Sequence, residues 1–277
     1  MQTGFRFFSH WPLWALQALG HAIGWLAWLL SPVYRRRFMD NARQAGFRFW
    51  QVAPAIGHAG AMSSELPRLW LGSPVPVQWA DDRALVQACE DPARGVLILT
   101  PHLGCFEVAA QASASRMGAA GHGPMTGLYR PARQPGLAKV METARNRPDL
   151  EPVPTTMAGV RQMIKALRAG RSAFLLPDQV PPEGMGSWAP FFGKPAYTMT
   201  LAARLVAQTG ARVVLVWCER LSWGRGYRMH ARALGHELSS DPDVAVVQIN
   251  QAMERLICER PDQYLWGYAR YKAPRGT

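Results

Sequence analysis

His102 and Glu107 stand at the two ends of HLGCFE, directly after the apolar run GVLIL (95–99). On one continuous helix, five positions would set them about 140° apart, too far to pair. Pro101 and Gly104 flank the histidine with helix breakers, which places His102 in the turn after a strand and Glu107 early in the following helix. From there the carboxylate can reach back to the imidazole. A carboxylate on one ring nitrogen fixes the tautomer and leaves the other nitrogen free to take a proton from an alcohol. Such a general base contributes about 10²–10⁴ in rate, and substrate placement and oxyanion donors must supply the rest. The carboxyl end of a parallel strand is also where α/β sheets bind ligands. The spacing alone fits a purely structural hydrogen bond too. Cys105 invites a rival reading as a nucleophile beside His102, or as a small apolar filler.

Other chemistries lack their signatures. There is no G-x-S-x-G elbow, which leaves a serine hydrolase of that type unsupported. Gly193-Lys194 runs into Pro195 with no glycine five positions before it, and Gly184-Met185-Gly186 leads to Pro190 rather than to a helix. Phosphate-loop and dinucleotide fingerprints are therefore absent, and no cofactor is called for. Cys89, Cys105, Cys218 and Cys258 lie far apart, so neither a metal site nor a disulfide framework is indicated and a reducing, cytosol-facing compartment suits them.

The elements that must position this site alternate in type. Residues 95–100 read as a strand, 104–118 as a helix and 124–130 as a strand. Helices follow over 136–146 and over 157–170, the latter closed by its glycine, and 172–178 reads as another buried-type strand. After a Pro/Gly-rich loop (181–195) come a helix (198–210), a core strand (211–220), an edge strand (227–234) and a last helix (243–259). The pattern predicts an α/β fold with a mixed, mainly parallel central sheet flanked by helices.

The amino terminus is different. WPLWALQALGHAIGWLAWLL (11–30) contains no charged residue and as a helix would reach roughly 30 Å, about one hydrocarbon thickness. Gln17 and His21 interrupt the run at helical spacing, a pattern equally compatible with an interfacial helix. Tryptophans suit the headgroup level, and Arg35, Arg36 and Arg37 would hold anionic lipid on the cytoplasmic side. A buried core helix is the plain alternative. The reading is a membrane-associated segment over 1–39 followed by one domain over 40–277. The chain carries 31 basic and 19 acidic residues, a formal charge of +12, which favours phosphate-bearing or acidic partners.

Several segments together resemble one family, the late acyltransferases of lipid A biosynthesis within the glycerolipid acyltransferase superfamily. They are HLGCFE (102–107), LYRPARQPGL (128–137) with RNR (145–147), LPDQVPPEGMGSWAPFFGKPAYT (176–198) and PDQYLWGYARYK (261–272). The resemblance implies that His102 and Glu107 are catalytic and that Arg130 contacts a phosphate or the carrier. It also implies that Asp178, Gln179, Phe191, Phe192, Gly193 and Lys194 line the acceptor or acyl site. For the two phenylalanines core packing is an equal reading, and Tyr264, Leu265, Trp266 and Arg270 suggest a structural role. The first motif departs from the family, which commonly has Asn-Trp where this chain has Cys105-Phe106.

The resemblance implies a membrane-associated O-acyltransferase at the inner membrane, facing the cytoplasm. It would take an acyl group from acyl carrier protein or acyl-CoA to a hydroxyl of a lipid A precursor or related glycolipid. It implies no cofactor and no nucleic acid. The competing readings are a non-catalytic basic protein that binds membrane or nucleic acid, and an acyltransferase acting on another lipid or pigment.

Overall fold

In a computed structural model of the chain, residues 2–129, 134, 140–141, 144 and 147–274 are described. The helices α1 (Gln2–Ser9), α2 (Leu13–Leu30), α3 (Pro32–Gln44), α4 (Phe49–Val52), α5 (Pro54–Ser64) and α6 (Leu66–Leu71) come first. The strands and helices β1 (Val77–Asp81), α7 (Arg83–Ala88), β2 (Val96–Leu99), α8 (Phe106–Ala119), β3 (Met125–Tyr129) and β4 (Leu150–Pro154) follow. Next are α9 (Met157–Arg168), β5 (Ser172–Leu175), β6 (Gly186–Phe191), β7 (Lys194–Met199) and α10 (Leu201–Thr209). The chain closes with β8 (Arg212–Arg220), β9 (Tyr227–Ala233) and α11 (Pro242–Glu259).

Seven strands form one sheet in the order β1-β9-β8-β2-β5-β3-β4. All pairings are parallel except β8 with β9, so the sheet is mixed and mainly parallel, as the alternating pattern predicts. β2 is buried at every position because a central parallel strand is covered on both faces. Its side chains divide with period two: Leu97 and Leu99 enter one core, with α9, α10 and α11, while Val96 and Ile98 enter the other, with α7 and α8.

Three elements differ from the sequence reading. The loop expected over 181–195 contains the antiparallel hairpin β6–β7, closed by Phe192 and Gly193, both at positive φ (47° and 74°), the geometry that suits a two-residue hairpin turn. The helix expected from 198 begins at Leu201. The strand expected at the edge, β9, is covered by β1. Most of the helix expected over 136–146, and Arg130, lie outside the described residues.

The apolar helix α2 is long enough and apolar enough to cross a membrane, but it packs on α5. Leu13, Leu16, Gln17, Gly20 and Gly24 form its buried stripe. Gly20 and Gly24 face Ala61, Ile56 and Gly57 so closely that a Cβ on Gly24 would lie 2.1 Å from the Ile56 carbonyl oxygen. The two polar interruptions of the run lie on the packed side: Gln17 donates to Glu65 (3.0 Å) and the His21 ring packs edge-on against His58. The opposite side leaves Ile23, Leu26, Leu29 and Leu30 exposed. At its end the Arg35 guanidinium donates to the carbonyls of Trp28 and Leu29, satisfying groups that a helix C-terminus leaves unpaired.

Candidate active site

Two neighbouring strands set the site. β2 and β5 run parallel with Leu99 opposite Leu175, so residues at equal distances past their ends emerge side by side. His102 and Asp178 are each three residues beyond. The His102 ring donates from Nδ1 to Asp178 Oδ1 (2.7 Å), and its backbone N–H donates to Asp178 Oδ2 (2.9 Å). One carboxylate thereby grips both ring and main chain. With Nδ1 carrying the proton, Nε2 presents its lone pair, and the Gln179 amide donates to it at 3.0 Å. The imidazole remains partly open, with its side chain 15% exposed against 2% for Asp178.

Burial by itself would raise the Asp178 pKa, but the His102 charge, its two hydrogen bonds and the nearby Arg270 hold it below the ordinary carboxylate value. Asp178 therefore contributes stability in full above the unfolded carboxylate range, and that contribution is lost as pH falls through the depressed folded value. Tyr264 is buried beside it. Burial first, and then the Asp178 charge, push the phenol well above its ordinary pKa, leaving its hydroxyl a permanent donor.

The carboxylate that holds the imidazole is thus Asp178, which corrects the pairing of His102 with Glu107. The helix α8 starts only at Phe106, so Glu107 leaves its first turn on the side of α6, where it accepts from the Trp70 indole (2.9 Å). Phe106, not Glu107, lies on the His102 ring, with centroids 5.0 Å apart. Cys105 is buried, and burial, followed by the Glu65 charge, pushes its thiol up to about 12, which opposes a thiolate nucleophile.

The turn itself is fixed by distant chain. Gly104 has φ +63°, and a Cβ there would lie 1.8 Å from the Cys218 carbonyl oxygen. Its N–H donates to the Gln263 carbonyl, Cys105 N–H donates to the Cys218 carbonyl, and Leu265 N–H donates to the His102 carbonyl. The segment 263–265 therefore straps the His102 turn to the end of β8. Gly104→Ala is expected to cost at least about 1–3 kcal/mol from the backbone conformation alone, read as a lower thermal midpoint together with lost activity.

Residues 78–273 match the model of the bacterial lipid A biosynthesis acyltransferase family. The chain belongs to that family. It is 25% identical over 198 residues to a lipid A biosynthesis palmitoleoyltransferase of Escherichia coli, covering 70% of this chain and 62% of the relative. It is 27% identical over 189 residues to the lipid A biosynthesis lauroyltransferase of the same organism, covering 66% and 58%. A lipid A biosynthesis acyltransferase of Haemophilus influenzae is 26% identical over 145 residues, covering 52% and 44%. The chain thus spans about 62% of the length of the first of these relatives.

Within this family member, His102, Asp178 and Gln179 come together, whereas Phe191, Phe192, Gly193 and Lys194 form the tip of the β6–β7 hairpin. Phe191 is buried beneath the Arg270 guanidinium (4.7 Å) and Phe192 N–H donates to Glu254 (2.7 Å), so both are packed by α11 and the carboxy-terminal segment. Lys194 sits over the Tyr271 ring (4.8 Å). Arg270 links the hairpin to the site, donating to the Tyr197 carbonyl (2.8 Å) while its charge acts on Asp178. Two cavities, of ≈ 570 Å³ between α9 and α10 and of ≈ 530 Å³ near Arg94 and Arg212, lie toward the amino-terminal ends of the strands, away from this chemistry.

Sequence reasoning missed the Asp178–His102 pairing. The signal was present as two buried-type strands, each ended by proline and followed by one titratable residue: LTPH and LLPD.

A second buried group supports the same turn. Arg220, at the end of β8, forms a two-point ion pair with Glu65 (Nε–Oε1 2.8 Å, Nη2–Oε2 2.9 Å), with side chains 1% and 0% exposed. Nη2 also donates to the Gly104 carbonyl (3.3 Å), and Nη1 donates to His58 Nδ1 (3.3 Å). Burial, then the Arg220 charge, drives His58 down to about 2, so it is a neutral acceptor. Through Gln17, which donates to Glu65, this network joins α2 to the His102 turn.

Proposed function

We propose that this protein is a membrane-associated O-acyltransferase that moves a fatty acyl group from a thioester, carried by acyl carrier protein, to a hydroxyl of a lipid A precursor. The observation that carries the reading is the partly exposed imidazole of His102, held through Nδ1 by a buried carboxylate, with Nε2 bonded to the Gln179 amide at the sheet's carboxyl end. The acceptor hydroxyl takes the place of the Gln179 amide at Nε2 and gives up its proton there. Its oxygen attacks the thioester carbonyl, the carbon–sulfur bond breaks, and the imidazolium returns the proton to the departing thiolate. No acyl-enzyme forms.

Asp178 is the positioning residue in this scheme, fixing the tautomer and supporting the imidazolium. Glu107 is buried and accepts from the Trp70 indole, and Arg130 is assigned to a phosphate of the acceptor or to the carrier. The net charge of +12 draws both an acidic carrier and an anionic acceptor. The exposed side of α2 rests in the cytoplasmic leaflet of the inner membrane, with the body of the protein in the cytoplasm. This mode follows from the packing of α2 on α5, which leaves one side of the helix for lipid.

The test is reconstitution with acyl carrier protein or CoA thioesters and a lipid A precursor, followed by mass spectrometry. One new ester-linked acyl chain, formed faster from the carrier protein, is the expected product. No mass increment with either donor would overturn the reading.

A further inference from the structure

Trp223 combines two unfavourable features. It is 88% exposed, and its φ of 60° is a left-handed conformation that strains any residue other than glycine. It stands in the turn Ser222–Gly224 between β8 and β9, and that turn is held firmly. Leu221 N–H donates to the Gly226 carbonyl (3.0 Å), Arg225 Nε donates to the Ser222 carbonyl (3.1 Å), and Gly224 N–H donates to Gln17 Oε1 on α2 (3.0 Å). Gly224 lies so close to α2 that a Cβ there would come within 2.5 Å of the Trp14 backbone nitrogen. Trp223 is therefore mounted on a rigid turn against the first helical turn of α2, near Trp14, itself 59% exposed.

The position of the turn around α2 gives it meaning. At about 100° per residue, Leu13, Leu16, Gln17, Gly20 and Gly24 mark the packed side and Leu26 and Leu29 the opposite one. The turn attaches to Gln17 on the packed side and to Trp14, which lies on the flank between the two sides. When the exposed side of α2 sinks into a bilayer, its flanks come to headgroup depth, the level an indole ring favours. Arg225 is exposed in the same turn, and neither residues 1–39 nor residues 221–235 contain an acidic side chain. Two segments far apart in the chain thus converge on one apolar and basic surface.

We propose that the β8–β9 turn is a second membrane-docking element, with Trp223 at headgroup depth and Arg225 on lipid phosphate, fixed beside α2 so that both engage one leaflet together. The proposal rests on the reading that α2 lies on the membrane. It orients the sheet as well: the turn continues from Arg220, whose guanidinium holds the Gly104 carbonyl, so docking brings the carboxyl end of β8 and the catalytic turn toward the lipid.

The test uses the full chain in co-sedimentation with vesicles of phosphatidylethanolamine and phosphatidylglycerol, and with neutral phosphatidylcholine vesicles. Trp223→Gly suits the backbone better than tryptophan, so its thermal midpoint should match or exceed that of the parent protein. Its vesicle affinity should fall about tenfold, while transfer to a detergent-dispersed acceptor stays unchanged. Arg225→Ala should lose about fivefold on the anionic vesicles and nothing on the neutral ones. Parent protein that binds vesicles while Trp223→Gly binds equally well overturns the turn's role alone. Parent protein that stays in solution with both vesicle types overturns the membrane reading of α2 as well. A lowered thermal midpoint in Trp223→Gly, or a dimer that this substitution dissolves, would assign Trp223 to folding or self-association and overturn the proposal.

Discussion

Alanine at position 102 lowers acyl transfer by about 10²–10⁴, the range over which a positioned general base acts, and leaves the protein folded. The ring contributes little to the core, since its side chain is partly exposed and its ordered partners are Asp178 and Gln179. The loss should fall on kcat rather than on KM, because the base acts in the transition state and not on bound substrate. Rates with carrier-protein and CoA donors should fall by the same factor, since His102 meets the acceptor hydroxyl in both. Steady-state rates and circular dichroism on the same preparation check both halves of the expectation. A variant that retains parent-level turnover would overturn the assignment of His102 as the base.

Much of this site can be read in the chain, and its limits have physical causes. The apolar runs at 95–100 and 172–178 identify β2 and β5, and the breakers around His102 place it in the turn after β2. What neither segment contains is the register between them, which a sheet sets through all its strands at once. The acidic residue nearest in sequence, Glu107, is therefore the one the chain suggests, whereas the partner in the structure sits 76 residues beyond His102. Prolines misdirect the reading of 181–195. Pro190 and Pro195 face each other across a two-stranded hairpin, where a missing N–H is tolerated because no central ladder depends on it. In α2 the reverse holds, since Gln17 and His21, read as interruptions of a membrane run, point out which side meets α5.

Arg220→Ala is expected to destabilise the fold by about 3–5 kcal/mol, the cost of stranding a buried carboxylate without its partner. Glu65 is fully buried, and its remaining bond from Gln17 (3.0 Å) cannot replace a guanidinium that grips both oxygens. Burial alone would lower the Arg220 pKa, yet the Glu65 charge and hydrogen bonds raise it above its ordinary value, so the guanidinium keeps its charge. Replacing both members by apolar residues of similar volume should recover much of the stability. The Gly104 carbonyl would still lack its donor, so activity should remain low in the stable double variant. Denaturant titration of the single and double variants, with turnover measured on each, separates the contribution to folding from the contribution to the turn.

If the buried carboxylate just past β5 makes the imidazole just past β2 a base, the transfer rate of Asp178→Asn must show it. Asparagine fills nearly the same space but cannot stabilise the imidazolium and can turn the ring to the wrong tautomer. The rate should fall by at least about a hundredfold at an acceptor concentration that saturates the parent protein. A rate equal to the parent's would show that the ring needs no such partner and that Asp178 does not make it a base.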